Sequence, residues 1–167
     1  MSPRLEVIPA SPADQPALAN LIELYIHDFS EFVAVDIGED GRFGYPNLAL
    51  YFRERDHHAH LARIDGKLAG FALLRRIDDA QGQVQVWDMA EFWILRRYRR
   101  QGAGAQLARS IWNLYPGEWQ VRVMEDNSPA VKFWASAISG VTGRPAVSDT
   151  FVADDRDWRR FRFRSPE

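Results

Sequence analysis

The sequence contains no cysteine, which excludes disulfides, thiol catalysis and thiolate metal sites and is compatible with a reducing compartment. Also absent is any apolar run near the ~18 residues a membrane-spanning helix requires. Met1-Ser2-Pro3-Arg4 leads directly into polar residues, with no signal-peptide core. A soluble, cytoplasmic protein with no membrane partner is expected. There is no excess of one charge either: 21 Lys and Arg stand against 23 Asp and Glu, a net charge of −2. That balance gives no general attraction to nucleic acid. No repeat, linker or low-complexity tract interrupts the 167 residues, a length that suits one domain spanning 1–167.

What the sequence does have is concentrated between Trp87 and Arg109. An apolar run, Met89 to Leu95, is broken only by Glu91. Arg96, Arg97, Arg99 and Arg100 follow it, and Gly102-Ala103-Gly104 then leads into Ala105, Leu107, Ala108, Ile111 and Trp112 at helical spacing. A strand, a glycine-rich turn and a helix are predicted in that order. Free amides of the turn and the first helical turn converge on one spot, where the helix dipole and the arginines favour a phosphate or pyrophosphate. The P-loop is excluded because Ala105 and Gln106 follow Gly104 where Lys and Ser/Thr are needed. The dinucleotide fingerprint is excluded because Leu107 stands in place of its third glycine.

The remaining elements can be read in order. Leu5 to Ile8 is a short strand, and Ser11-Pro12 with Asp14 predicts a helix start, continued by Leu18, Leu21, Ile22, Tyr25 and Phe29. Asp28 to Asp40 reads as a loop with five acids and no base, and a second helical pattern, with Leu48, Leu50, Tyr51 and Phe52, follows Pro46. His57-His58-Ala59-His60 opens a strand; a metal site is the sharper alternative, but no clustered carboxylate or cysteine supports it, so no metal is expected. A hairpin through Asp65-Gly66-Lys67, a turn at Asp78 to Gly82, and the strand ending at Leu95 come next. Beyond Leu95 the pattern predicts a strand over Trp119 to Val123 and a helix capped by Ser128 with Pro129 first. Strands near Val147 to Val152 and Trp158 to Phe163 complete it.

Arg99-x-x-Gly102-x-Gly104 resembles the acyl-CoA pyrophosphate signature of the GNAT N-acetyltransferase superfamily, and Asn127-x-x-Ala130-x-x-Phe133-Trp134 is similar to that family's second block. The element order matches over most of the chain. The resemblance implies an α/β GNAT fold: a central, mostly antiparallel, twisted sheet of six to seven strands flanked by about four helices. It implies acetyl-CoA as co-substrate and a small-molecule or peptide amine as acceptor, in a family where homodimers are common. By the same resemblance, backbone groups of Phe92, Trp93 and Ile94 meet the pantetheine arm. Arg99, Arg100, Gln101, Gly102, Ala103, Gly104 and Ala105 cradle the pyrophosphate, while Asn127 contacts pantetheine and Trp134 lies against the cofactor or the core. The acidic Asp28 to Asp40 stretch lies toward the acceptor side, favouring a cationic acceptor.

One departure concerns the general acid. The family often has a tyrosine where this chain has Trp134, and an indole is no useful proton source near neutrality. An alkyl ammonium is overwhelmingly protonated at pH 7, so a base must help remove its proton. Glu91 and Asp88 are both candidates: Glu91 is the one acid in the apolar run, and Asp88 sits where several family members keep theirs. Two alternatives stay open at this point. One is an acyl-CoA sensor without turnover. The other is nucleic-acid binding through Arg96 to Arg100 and Trp158 to Arg164, although the alternation in that tail is equally that of a half-buried strand.

Overall fold

The computed structural model describes residues 4–79 and 81–166; Ala80, inside the turn expected after Asp78, lies outside the described residues, as do Met1 to Pro3. The chain runs β1 (Leu5–Pro9), α1 (Gln15–Phe29), α2 (Leu50–Arg53), β2 (His57–Ile64), β3 (Lys67–Asp78) and β4 (Gln85–Ile94). Then come α3 (Ala103–Leu114), β5 (Gly117–Met124), α4 (Ser128–Thr142), β6 (Val147–Ala153) and β7 (Arg156–Ser165). This is the expected element order. Among the described residues the strands form one seven-stranded sheet, β1-β2-β3-β4-β5-β7-β6. Every neighbouring pair is antiparallel except β4 with β5.

Two apolar cores cover the two faces of the sheet. On one face Leu107, Ala108, Ile111 and Trp112 of α3 and Trp134 and Ile138 of α4 meet Leu74, Met89, Val121 and Phe161. On the other, Leu18 and Ile22 of α1 and Tyr51 of α2 meet Leu61, Phe71, Leu73 and Trp93. Strand alternation explains the division, since successive side chains point to opposite faces. The tail Trp158 to Arg164 lies in β7, with Phe161 and Phe163 in the first core. Its arginines pair outward: Arg159 with Glu125, Arg160 with Asp149 and Arg164 with Glu118.

Three local expectations shift by small amounts. Ser11 and Asp14 do form a capping box, but it closes a 3-10 turn, Pro12–Asp14, and α1 starts at Gln15. The cap of α4 is Asn127, whose side chain accepts from the Ala130 amide, so Ser128 is already helical. Asp28 belongs to the last turn of α1 and not to the loop beyond it.

The histidine strand is β2, and His60 is 1% exposed. Its Nε2 lies 3.2 Å from the Tyr115 hydroxyl, and burial pushes its pKa down to about 4. The unfolded chain takes up the proton near pH 6.5, before the folded one does. Stability from neutral His60 is therefore present above pH 6.5 and is lost as pH falls toward 4, by about 3 kcal/mol. In thermal melts, His60→Leu is expected to flatten the fall in Tm between pH 6.5 and 4 relative to wild type; parallel Tm curves would show that His60 is not the linked group.

Candidate active site

β4 and β5 pair only at Trp87↔Trp119 and Asp88↔Gln120 and then separate. β4 continues to Ile94 and β5 to Met124. Along this fork the facing edges of the two strands have no ladder partner, which suits an inserted extended ligand. At the base of the fork lies Asp88, 0% exposed. Its carboxylate accepts from Arg75 Nε (3.0 Å), Gln120 Nε2 (2.9 Å), Arg122 Nε (3.2 Å) and Arg122 Nη2 (2.9 Å). Carboxylate and donors thus tie β3, β4 and β5 together where the pairing ends.

Just beyond, the β3–β4 register slips: Leu74 faces Met89 whereas Leu73 faces Glu91, so Ala90 is an extra residue in β4. The bulge resets the alternation. As a result Asp88 and Glu91, three positions apart, both face α1. Glu91 accepts from the Tyr25 hydroxyl on Oε2 (2.5 Å) and from the Tyr45 hydroxyl on Oε1 (3.0 Å). Burial raises its pKa above the ordinary glutamate value, with the two phenol hydrogen bonds pulling the other way. Tyr45 also borders a groove of about 640 Å³ whose other walls include Glu23, Asp36, Asp40 and Arg42.

The arginine turn between β4 and α3 is anchored from behind. Arg99 donates from Nε to the Ile94 carbonyl (2.7 Å) and from Nη2 to Asp28 (2.5 Å). Asp28 also accepts from Trp93 Nε1 (2.9 Å) and Arg96 Nε (2.9 Å). Its pKa is lowered: burial alone would raise it, and the combined Trp93, Arg99 and Arg96 hydrogen bonds outweigh burial. Gly102, with φ +83°, starts α3 from a left-handed conformation that favours glycine. The amides of Ala103, Gly104 and Ala105 open the helix and have no partner within it.

The profile of the acetyltransferase (GNAT) family matches residues 18–137. The chain belongs to the GNAT acetyltransferase family. No curated protein matches its sequence. Among solved structures, the GNAT chain is similar to Arabidopsis thaliana NAA60 in complex with a bisubstrate analogue: 14% identity, TM-score 0.63, covering 96% of this chain and 98% of that one. It is similar to an aminoglycoside acetyltransferase from an uncultured soil metagenomic sample in complex with sisomicin, at 17% identity and TM-score 0.65, with 89% and 95% covered. A Vibrio cholerae spermidine N-acetyltransferase is similar at 13% identity and TM-score 0.65, with 96% and 93% covered. At these identities the likeness is one of fold.

Within the GNAT domain, Glu91 and Phe92 to Ile94 lie on the β4 arm of the fork, the Arg99 to Ala105 turn leads into α3, and Asn127 starts α4, whose Phe133 meets Phe92. Arg99, Gly104 and Asn127 have neighbours within the fold itself, and Trp134 takes the core side of its expected placement. Arg99 is committed to Asp28 and Ile94, so its guanidinium fixes the turn. A Cβ on Gly104 would stand 3.1 Å from the Phe133 ring, so a side chain there would press on the contact between α4 and α3. The Asn127 oxygen is used as a cap. Trp134 is 6% exposed and contacts Phe92, Trp112 and Phe133 in the core.

Tyr25 and Tyr45 are the residues that sequence reasoning missed. Tyr25 looks like one more apolar position of α1, and Tyr45 sits between Gly44 and Pro46 in a loop. Their contacts with Glu91 span 66 and 46 residues, and no local pattern encodes them.

Trp134 yields the prediction of this site. Trp134→Ala, by emptying a large aromatic position, should lower unfolding free energy by about 3–5 kcal/mol; Trp134→Phe should lose much less and stay folded at 25 °C. Denaturant titrations check this, and equal stability of wild type and Trp134→Ala would place the indole outside the core.

Proposed function

We propose that this chain is an acetyl-CoA-dependent N-acetyltransferase that transfers the acetyl group to an amine by direct attack, with Glu91 as the base. The observation that carries the reading is Glu91 beside the fork, half-buried, hydrogen-bonded by two phenols and with a raised pKa. A carboxylate has about four lone-pair sites, so each Glu91 oxygen keeps one after its tyrosine. Asp88 is the poorer base because four hydrogen bonds already occupy it. In the transfer, the ammonium gives one proton to Glu91, the freed amine nitrogen bonds to the carbonyl carbon, the carbon–sulfur bond breaks, the thiolate leaves, and the second nitrogen proton passes to water.

The helix amides of Ala103 to Ala105, with Arg100 nearby, are suited to hold the pyrophosphate. The open β4 edge, Phe92 to Ile94, suits the pantetheine amides, and a β4 amide would hold the thioester oxyanion. Trp134 lies in the core and supplies no acid. A thiolate with a cysteine-like pKa near 8.5 leaves without one at modest cost, about 2 kcal/mol at pH 7. The acceptor enters as an ammonium, favoured by Glu23, Asp36 and Asp40 around the groove. A non-catalytic acyl-CoA sensor is the second reading, favoured by the same placement of Trp134.

Cofactor binding is tested with Ala105→Asp, since an acid in the first turn suits the helix but repels a phosphate. Calorimetry should show acetyl-CoA affinity reduced roughly tenfold or more without loss of Tm, and unchanged affinity would remove the turn from the site. The base is tested with Glu91→Gln, which should cut thiol release by roughly 10²-fold or more. Because the base must be ionised, kcat/KM in wild type should rise with pH through a pKa above the ordinary glutamate range. That limb should vanish in Glu91→Gln. If Asp88→Asn removes the limb and Glu91→Gln keeps it, the two acids exchange roles. A wild type that binds acetyl-CoA but releases no thiol with any amine would support the sensor.

A further inference from the structure

Arg75 on β3 and Arg122 on β5 reach for one carboxylate, Asp88. Two guanidiniums and one carboxylate leave the cluster with a positive charge. Arg75 donates only through Nε, and Arg122 through Nε and Nη2. Among the described residues, no partner meets either terminal nitrogen of Arg75 or Nη1 of Arg122. The two side chains are 36% and 35% exposed, whereas Asp88 is at 0%. The unused donors therefore belong to a half-buried Arg75 and an exposed Arg122, both held in place by their hydrogen bonds to the buried Asp88.

The position of the cluster matters as much as its charge. Arg122 lies beyond the last β4–β5 pair, at Asp88↔Gln120, and reaches back to Asp88 from across the fork. Arg75 faces Asp88 from the other side in register. The nearby acid Glu91 is hydrogen-bonded to Tyr25 and Tyr45 and, among the described residues, forms no ion pair with either arginine, although Arg122 is close enough to favour its ionised form. Planar guanidinium forks suit carboxylate or phosphate oxygens.

We propose that Arg75 and Arg122 form an oxyanion-binding site for the acceptor, which is then an amine carrying a carboxylate or phosphate several bonds away. The inference rests on the acetyltransferase reading, which puts the reacting amine at Glu91. Asp88 and Glu91 are three positions apart on a bulged strand, about 7–10 Å. That span fits an ω-amino acid or a peptide better than a bare α-amino acid. The acceptor is read at both ends: ammonium toward the acidic groove and Glu91, oxyanion toward the arginines.

Three probes share one amine and differ at the far end: butylamine, 4-aminobutyrate and 3-aminopropyl phosphate. Each is titrated calorimetrically into the CoA-loaded protein, and thiol release from acetyl-CoA is measured in parallel. Wild type should bind and acetylate at least one anionic probe roughly tenfold or more better than butylamine, as for a charge-assisted hydrogen bond. Which anionic probe leads tells carboxylate from phosphate. Arg75→Gln, which can still donate to Asp88, should reduce that advantage to about twofold or less. Butylamine binding as well as both anionic probes would overturn the site, and that comparison needs only wild type. An anionic advantage that survives in folded Arg75→Gln would also overturn it. Acetyl-CoA binding and butylamine acetylation without anionic preference would sink this inference alone. Absence of acetyl-CoA binding would sink the acetyltransferase reading, while titration of the probes into the free protein would still decide the arginine site.

Discussion

The carboxylate of Asp88 is the point on which the fork depends. Two strands that separate after only two paired residues leave backbone groups unpaired in the middle of a sheet, an arrangement that would ordinarily close or fray. Here three side chains from β3 and β5 converge on one buried acid of β4 at the place where pairing stops. An isolated buried carboxylate would be costly, and removing a partner from such a pair typically costs about 3–5 kcal/mol. The cluster holds the fork at a fixed opening and keeps the buried carboxylate satisfied. Both of its arginines belong to flanking strands, so the opening cannot change without breaking charge-assisted hydrogen bonds.

A second anchor lies at the far end of β4. Asp28 takes hydrogen bonds from Trp93, Arg96 and Arg99, and so ties α1 to the turn that precedes α3. Between the two anchors, the bulge at Ala90 turns Glu91 toward α1 and away from the α3 core. The floor, the turn and the acid are thus set by three local devices on a single strand. The tyrosines that contact Glu91 come from α1 and the loop after it, the elements that also border the groove.

Much of this was legible in the sequence, and the boundary has a physical meaning. Period-two and helical patterns, proline and glycine punctuation, and the two short motifs convey the element order, because each is a local signal within a dozen residues. The arginine turn is visible for the same reason. What Arg99 does with its guanidinium is not, since Asp28 is 71 residues away. Likewise the closeness of the Phe133 ring to Gly104, 29 positions further along the chain, has no local signal. Asp28 itself was counted with the acidic loop; in the structure it is paired with arginines, leaving Asp36 and Asp40 of that stretch at the groove. Glu91 and Asp88 looked equivalent in sequence because a bulge has no signature there, and only their hydrogen-bond partners tell them apart.

The strand order has a further implication. β5 meets β4 at only two residues, whereas it pairs with β7 from Gly117↔Ser165 to Met124↔Trp158. Its principal partner is thus contributed by a segment that a ribosome delivers after α4 and β6. Until then Trp119, Val121 and Val123 stand on a strand with one long open edge, the kind of surface that recruits other chains. Nascent protein arrested before β7 would be an aggregation hazard, so the same wide fork that admits a ligand in the finished molecule makes its maturation depend on the arrival of its C-terminal hairpin.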